Sequence, residues 1–332
     1  TPSDVIGESR TYLTIYFAGV SGLLIYTMGS GIIRAVGDSR RPLYFLIFSA
    51  VINTLFDLLF VVKFRLGVAG VAYATILSQA LSAALVLYSL THDHAAYGIR
   101  WRELCITKPE LHDILTVGFP AGIQQAVTSF SNVFVQSYIN GFGSACMAGW
   151  SAYNKLDVFI LLPVQALALA STTFVGQNWG AGNPKRAREG ARQTLIMSLI
   201  VTAALAGVLM LLARQLLEIF GNDPGMLEYG TRFVMIASPF YITICFNQVY
   251  GGALRGIGNA KIPMIIMLSS FVVFRQIYLM LNKMLLGNSI VGVALGYPLG
   301  WVLCSTLLII AYRRSKLFKE QEESAPAEAK TC

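Results

Sequence analysis

The sequence predicts an all-α, polytopic membrane protein. Of its 332 residues 55% are hydrophobic and only 13% charged, and the apolar residues gather into long runs separated by short polar stretches. Soluble domains average about 25% charged residues, so lipid must face much of this surface. An internal repeat adds a further feature: two pseudo-symmetric lobes.

Nine apolar segments stand out, at 11–35, 43–62, 68–91, 112–141, 147–178, 192–220, 229–254, 263–287 and 290–312. Each can cross a hydrocarbon core of about 30 Å at about 1.5 Å per residue, and the longest must tilt or extend past it. Sixteen Lys and Arg fall on one side of this arrangement, around Arg34, Arg100, Lys185, Arg255 and Arg313, against six on the other. Basic loops stay in the cytoplasm, so the C-terminus is expected there. The net charge of +8 reads as these loops, and no nucleic-acid partner is expected. The five cysteines are scattered, and His92, His94 and His112 share one polar stretch. Neither set has metal-ligand spacing. No cofactor is expected, and the absence of HExxH or GxSxG patterns argues against an enzyme.

The repeat is read from two stretches. Residues 31–43 run GIIRAVGDSRRPL and residues 252–264 run GALRGIGNAKIPM. Gly31, Arg34, Gly37 and Pro42 match Gly252, Arg255, Gly258 and Pro263, and further on Gly70-Val71-Ala72 matches Gly292-Val293-Ala294. The first three spans therefore pair with the last three. Six helices separate the copies, an even number, so the repeats run parallel about an axis along the membrane normal. The three spans between them lack first-lobe counterparts, which leads to the expectation of three further helices before Thr1. The expected organisation is a partial N-lobe at 1–94, an inter-lobe linker at 95–111, a C-lobe at 112–315 and a disordered cytoplasmic tail at 316–332.

These residues resemble the multidrug and toxic compound extrusion (MATE) family. The resemblance covers nearly the whole chain and rests on GQNWGAGNPKRARE (176–189), GALRGIGNAKIP (252–263), IIRAVGDSRRP (32–42), VGFPAGIQQ (117–125) and NTLFD (53–57) followed by VAGVAYATILSQ (68–79). It implies twelve helices in two rocking lobes, of which helices four to twelve are present. It also implies an antiporter that exports organic, often cationic, amphipathic compounds against inward flow of Na⁺ or H⁺. Such a protein is expected as a multi-pass monomer in the plasma (inner) membrane of a prokaryote, with the lipid bilayer and drug-like small molecules as its partners. A lipid-linked oligosaccharide flippase of a related superfamily is the alternative, though it would be expected to carry more intramembrane cations than Lys155 and Arg275.

Charges inside spans are costly and mark function by default. Asp57 lies near the outer end of the second span, and Thr75 at a similar depth in the third. Asn53 is one turn deeper than Asp57 on the same face, and Gln79 one turn deeper than Thr75. These groups offer hard oxygen ligands for Na⁺, or a protonatable acid with hydrogen-bond partners. The resemblance points to the same positions: Asn53, Asp57 and Thr75 match the family's first-lobe cation site, and a further acidic partner belongs to the family's first helix. The acids of the family's other cation site have no counterpart; helix seven offers Gln124 and Gln125, and helix ten Asn247. Asp157, with Asn154, could face a central cavity or serve as a second coupling acid, or could simply join a structural polar network. Tyr16, Tyr26, Phe130 and Tyr250 are candidates to line an adaptable drug cavity. Arg275, Arg34, Arg255, Gly37 and Gly258 read as structural or gating. Pro120 and Pro163 read as hinges or as tolerated kinks.

Overall fold

The computed structural model describes residues 6–92, 98–285 and 289–318. Among the described residues there is no strand, and helix occupies each of the nine predicted segments. Seven helices are long and apolar enough to cross a membrane, or eight if one bent pair counts as a single span. The remaining segment, 112–141, lies in a 33-residue helix whose Gln124, Gln125, Asn132 and Gln136 lower its hydropathy. The chain folds as two units, Thr1–Ile106 and Thr107–Cys332.

The described residues of the first unit form four α-helices. α1 (Ile6–Ala18) and α2 (Val20–Ala35) form the bent pair, 47° apart at Gly19. α3 (Arg40–Asp57) continues into a π-helical turn at Leu58–Lys63, and α4 (Gly67–His92) returns antiparallel to it. α2 lies against α4 through small residues. A Cβ on Gly22 would stand 3.0 Å from the Ala80 nitrogen, and one on Gly29 2.1 Å from Val86 Cγ1. Helices in lipid gain little from burying apolar surface and associate by such close backbone approach. The buried core is small: Ile33, Val86 and Leu90 with Tyr26, Phe45 and Ile99 around them. Most of α3 is exposed and apolar, including Leu43, Ile47, Val51 and Leu55, the surface expected of a helix facing lipid.

The described residues of the second unit form nine α-helices. α5 (Lys108–Asn140) and α6 (Ser144–Gly180) run unbroken through Pro120 and Pro163. α7 (Pro184–Leu211) and the short α8 (Ala213–Glu218) follow. α9 (Pro224–Ala237) and α10 (Tyr241–Gly256) make one span, joined by a single 3₁₀ turn. α11 (Lys261–Leu268) passes through a π-helical turn at Ser269–Phe274 into α12 (Arg275–Leu285), and α13 (Ile290–Arg313) closes the unit. α6 is the central helix, packed against α7, α9 and α10. Its crossing with α10 is set by Gly252 and Gly256, whose added Cβ atoms would stand 2.8 Å from Ala168 O and 2.6 Å from Thr172 O.

The repeated motif has one backbone conformation in both units. Gly37 (φ 94°) and Gly258 (φ 81°) adopt the left-handed region, which costs any L-residue with a Cβ about 1–2 kcal/mol. Gly37 N donates to Arg34 O and Gly258 N to Arg255 O, both at 2.9 Å. The next residue closes the wider ring: Asp38 N to Ile33 O at 3.2 Å and Asn259 N to Leu254 O at 2.9 Å. This is a Schellman-type helix end. Asp38 Oδ1 then accepts from Arg40 N at 2.9 Å, and Asn259 Oδ1 from Ile262 N at 3.3 Å, starting the next helix. The Gly182-Asn183 step after α6 repeats the device, with φ 69° at Gly182 and Asn183 Oδ1 capping α7 through Arg186 N at 3.2 Å. Arg34 and Arg255 thus serve the turn through their carbonyls.

The boundaries differ from expectation at the C-terminal end. Residues 316–318 were assigned to the tail, yet Leu317 is buried and packs with Phe318 in the cluster around Tyr312. An apolar pair after a basic run continues the core rather than ending it. The remainder of the tail, 319–332, and residues 93–97 with His94 lie outside the described residues.

Candidate functional site

In the first unit the polar candidates lie along the α3–α4 contact. Ser49 Oγ donates to Ser78 O at 2.8 Å, and Gly70 meets the Phe60 backbone at 3.2 Å from an added Cβ. Between these two anchor points the antiparallel register sets Thr75 level with Asn53. Asp57 lies nearer the connecting turn, opposite the start of α4, so Asp57 and Thr75 are not at one depth as expected. The π-helical turn accounts for the shift: a wider turn advances less per residue than an α-helix, so α3 falls behind α4. The result is a sequence of rungs, Asp57 first, then Asn53 with Thr75, then Gln79. Asp57 Oδ1 and Gln79 Oε1 are both buried with no hydrogen-bond partner. Thr75 Oγ1 donates to Val71 O at 2.9 Å, which leaves its lone pairs available to a further ligand.

In the second unit Asp157 is the acidic side chain held inside the bundle. Tyr241 OH, from α10, donates to Asp157 Oδ1 at 2.5 Å, and Tyr153 OH, one turn earlier on α6, lies 3.4 Å from the same oxygen. The two phenols are 3.3 Å apart. Tyr153 and Tyr241 are buried. An aromatic wall continues outward from this centre. Tyr241 stacks on Trp301 at 5.7 Å between centroids, and Trp301 meets Tyr297 edge-on at 6.1 Å. Trp150 contacts Tyr153, Phe233 and Tyr297 at 5.2, 5.0 and 5.4 Å.

Arg275 stands at the far end of that wall. It is 4% exposed, its guanidinium lies 4.6 Å over the Tyr297 ring, and Nη2 donates to Ser131 Oγ at 3.3 Å. Gln276 Nε2 also reaches Ser131 Oγ, at 3.0 Å. These contacts tie α12 to α5 and α13, a structural arrangement for a fixed charge.

The remaining candidates divide. Asn154 Nδ2 donates to Trp150 O of its own helix at 2.9 Å. Lys155 points away from Asp157, with its ammonium 5.2 Å over Phe220. Asn247 is buried and donates to Trp301 O at 3.3 Å, so it braces α10 against α13 rather than lining an open cavity. Gln124 Nε2 lies 2.8 Å from Met267 Sδ, whereas Gln125 is exposed. Tyr26 OH donates to Pro42 O at 3.1 Å and ties α2 to α3, a bracing role in place of the expected cavity role. Tyr16 stacks on Tyr12, Phe130 is exposed and edge-on to Phe134, and Tyr250 stacks on Tyr312. The sequence reading missed Tyr153, Tyr297 and Ser131. Tyr153 carried a signal, because it precedes Asp157 by one helical turn.

A bundle of long apolar helices with an acid and an arginine held among them defines a polytopic membrane protein. The comparisons agree. The profile of the MatE family matches residues 1–59 and 120–280. The chain is 32% identical over 324 residues to the probable multidrug resistance protein YpnP of Bacillus subtilis, an alignment spanning 96% of this chain and 71% of that protein. It is 28% identical over 328 residues to YoeA of the same organism, also named a probable multidrug resistance protein, with 97% and 71% covered. Among solved structures, a MATE crystal structure in the bent conformation superposes with a TM-score of 0.87 at 21% identity, covering 94% of this chain and 70% of that one. The chain belongs to the MATE family of efflux transporters, whose members are transporters and not enzymes.

Proposed function

We propose that this protein is a secondary active antiporter that exports organic, cationic, amphipathic compounds in exchange for Na⁺ or H⁺. The observation that carries the reading is Asp57, whose Oδ1 is buried without a hydrogen-bond partner. An ionised carboxylate only accepts, and a buried acceptor left unanswered costs about 1–3 kcal/mol. A proton on Asp57 would answer that acceptor directly. Na⁺ would do so as well, drawing on the Asn53 amide oxygen and the Thr75 hydroxyl lone pairs as hard ligands. Multidrug export is supported by the names of the Bacillus relatives, and a cationic class by the Asp157 carboxylate set among aromatic rings, whose faces attract organic cations. The protein works as a monomer in the cell membrane with its C-terminus in the cytoplasm.

The test is export of a cationic dye from everted vesicles under an imposed Na⁺ gradient and, separately, a pH gradient. Asp57→Asn keeps the side-chain volume and removes the titration and the charge. It is expected to abolish gradient-driven export at normal expression, and Thr75→Val to weaken it. Export at the wild-type rate by Asp57→Asn would overturn the coupling assignment.

A further inference from the structure

The second unit carries a pocket that coupling through Asp57 does not use. It is a cavity of about 610 Å³ at the end of the unit where α7 begins and α13 finishes. Its charge is one-sided. Lys185, Arg188 and Arg192 from the first turns of α7 and Arg313 from the end of α13 face it, with Glu189 as the acid among the described lining residues. Glu189 reaches Arg192 at 3.8 Å across an exposed pair, too long and too wet to neutralise more than part of the field. Four cations and one anion leave a formal excess of three positive charges around one cavity.

The wall between those charges is built and stiff. Tyr250 of α10 and Tyr312 of α13 line it, stacked with ring centroids 4.2 Å apart and planes 13° from parallel. The Arg188 guanidinium lies 5.2 Å over the Phe318 ring, which holds its planar donor face in one orientation. α7 points its N-terminus at this end, capped by Asn183, and adds the positive end of its dipole. Planar guanidinium donors, an ammonium and a helix N-terminus are the groups that recognise phosphate.

The surroundings decide where the phosphate comes from. α7, α10 and α13 all belong to apolar spans, and the pocket sits where those spans give way to basic residues. That level is the lipid headgroup region, where tyrosines and cations both concentrate. We propose that this pocket binds the phosphodiester headgroup of an anionic phospholipid, with Arg188, Arg192, Lys185 and Arg313 as its donors and the Tyr250–Tyr312 stack as its wall.

The experiment is native mass spectrometry of the purified, delipidated protein titrated with phosphatidylglycerol, with phosphatidylcholine and inorganic phosphate as separate arms. Each cation near an anionic headgroup contributes about 1 kcal/mol, a factor of about five in affinity. Arg192→Gln, at an exposed position, is expected to weaken phosphatidylglycerol binding about fivefold. The double variant Arg188→Gln/Arg192→Gln is expected to weaken it roughly 25-fold, with phosphatidylcholine binding unchanged in both. Arg214→Gln/Arg232→Gln, which removes two exposed cations elsewhere in the unit, leaves phosphatidylglycerol binding at the wild-type level. Three results would overturn the proposal: equal binding by wild type and the Arg192 variant, equal loss in the Arg214/Arg232 control, or inorganic phosphate displacing the lipid at equal concentration.

Discussion

Replacing Gly256 with alanine tests the close packing of α6 on α10. The added Cβ would meet Thr172 O at 2.6 Å, with Gly176 N at 3.2 Å and Val175 Cβ at 3.4 Å. Ordinary contact between heavy atoms begins near 3.5 Å, so the crossing of α6 and α10 is roughly 1 Å too close for a methyl group. The nearest obstacle is backbone, which no rotamer change can move aside. Overpacking of this kind costs about 1–3 kcal/mol, while alanine returns about 0.5–1 kcal/mol of helix propensity. The net expectation is a loss of about 1–2 kcal/mol, or a melting temperature lower by roughly 2–8 °C for a unit of this size. The assay is thermal unfolding of the protein in detergent, with Gly207→Ala as the reference, since nothing lies within 4 Å of a Cβ there. Tyr241 stands at the opposite end of α10 and shares no partner with Gly256, so Gly256→Ala and Tyr241→Phe are expected to be additive. A Gly256→Ala protein as stable as Gly207→Ala would refute the reasoning.

Tyr241→Phe removes the nearer of the two phenols on Asp157 and leaves only Tyr153 at 3.4 Å. A hydrogen bond to a charged group is worth about 1.5–3 kcal/mol, and a loss of that order is expected in denaturant unfolding. Tyr153→Phe, tested in parallel, is expected to cost less. Gly37→Ala and Gly258→Ala each place a Cβ at positive φ, where open space surrounds Gly258 and strain is the main term. A loss of about 1–2 kcal/mol is expected for Gly258→Ala in the same melts. Gly258→Asn, which tolerates that conformation, is expected to recover most of it.

Much of this protein was legible along the chain, for reasons that can be named. The spans follow from hydropathy, because a lipid-facing helix must be apolar over its whole length. The repeated turn was legible because left-handed backbone demands glycine and an Asx residue next to it starts the following helix. Gly37-Asp38, Gly182-Asn183 and Gly258-Asn259 all obey that rule. Asp57 stands out in the sequence because an acid in an apolar helix is costly. Its depth does not, because the π-helical turn at Leu58–Lys63 leaves no mark in composition yet displaces α3 along α4. The partner of Asp157 was hidden too. Tyr241 lies 84 residues away, and nothing local distinguishes it from Tyr250, which turned to a different wall. Tyr26 and Asn247 look like cavity residues in the sequence, but both satisfy backbone carbonyls of neighbouring helices.

Hydropathy and glycine spacing settle the spans and the turns, since each depends on a residue's own solvation or its own backbone energy. Packing settles which interior groups meet. The short contact between Tyr241 and Asp157 exists because α6 and α10 lie side by side. The basic pocket exists because the start of α7 and the end of α13 arrive at one place. Both are properties of helices brought side by side, and the energy of such an approach belongs to the pair of surfaces rather than to either stretch of chain.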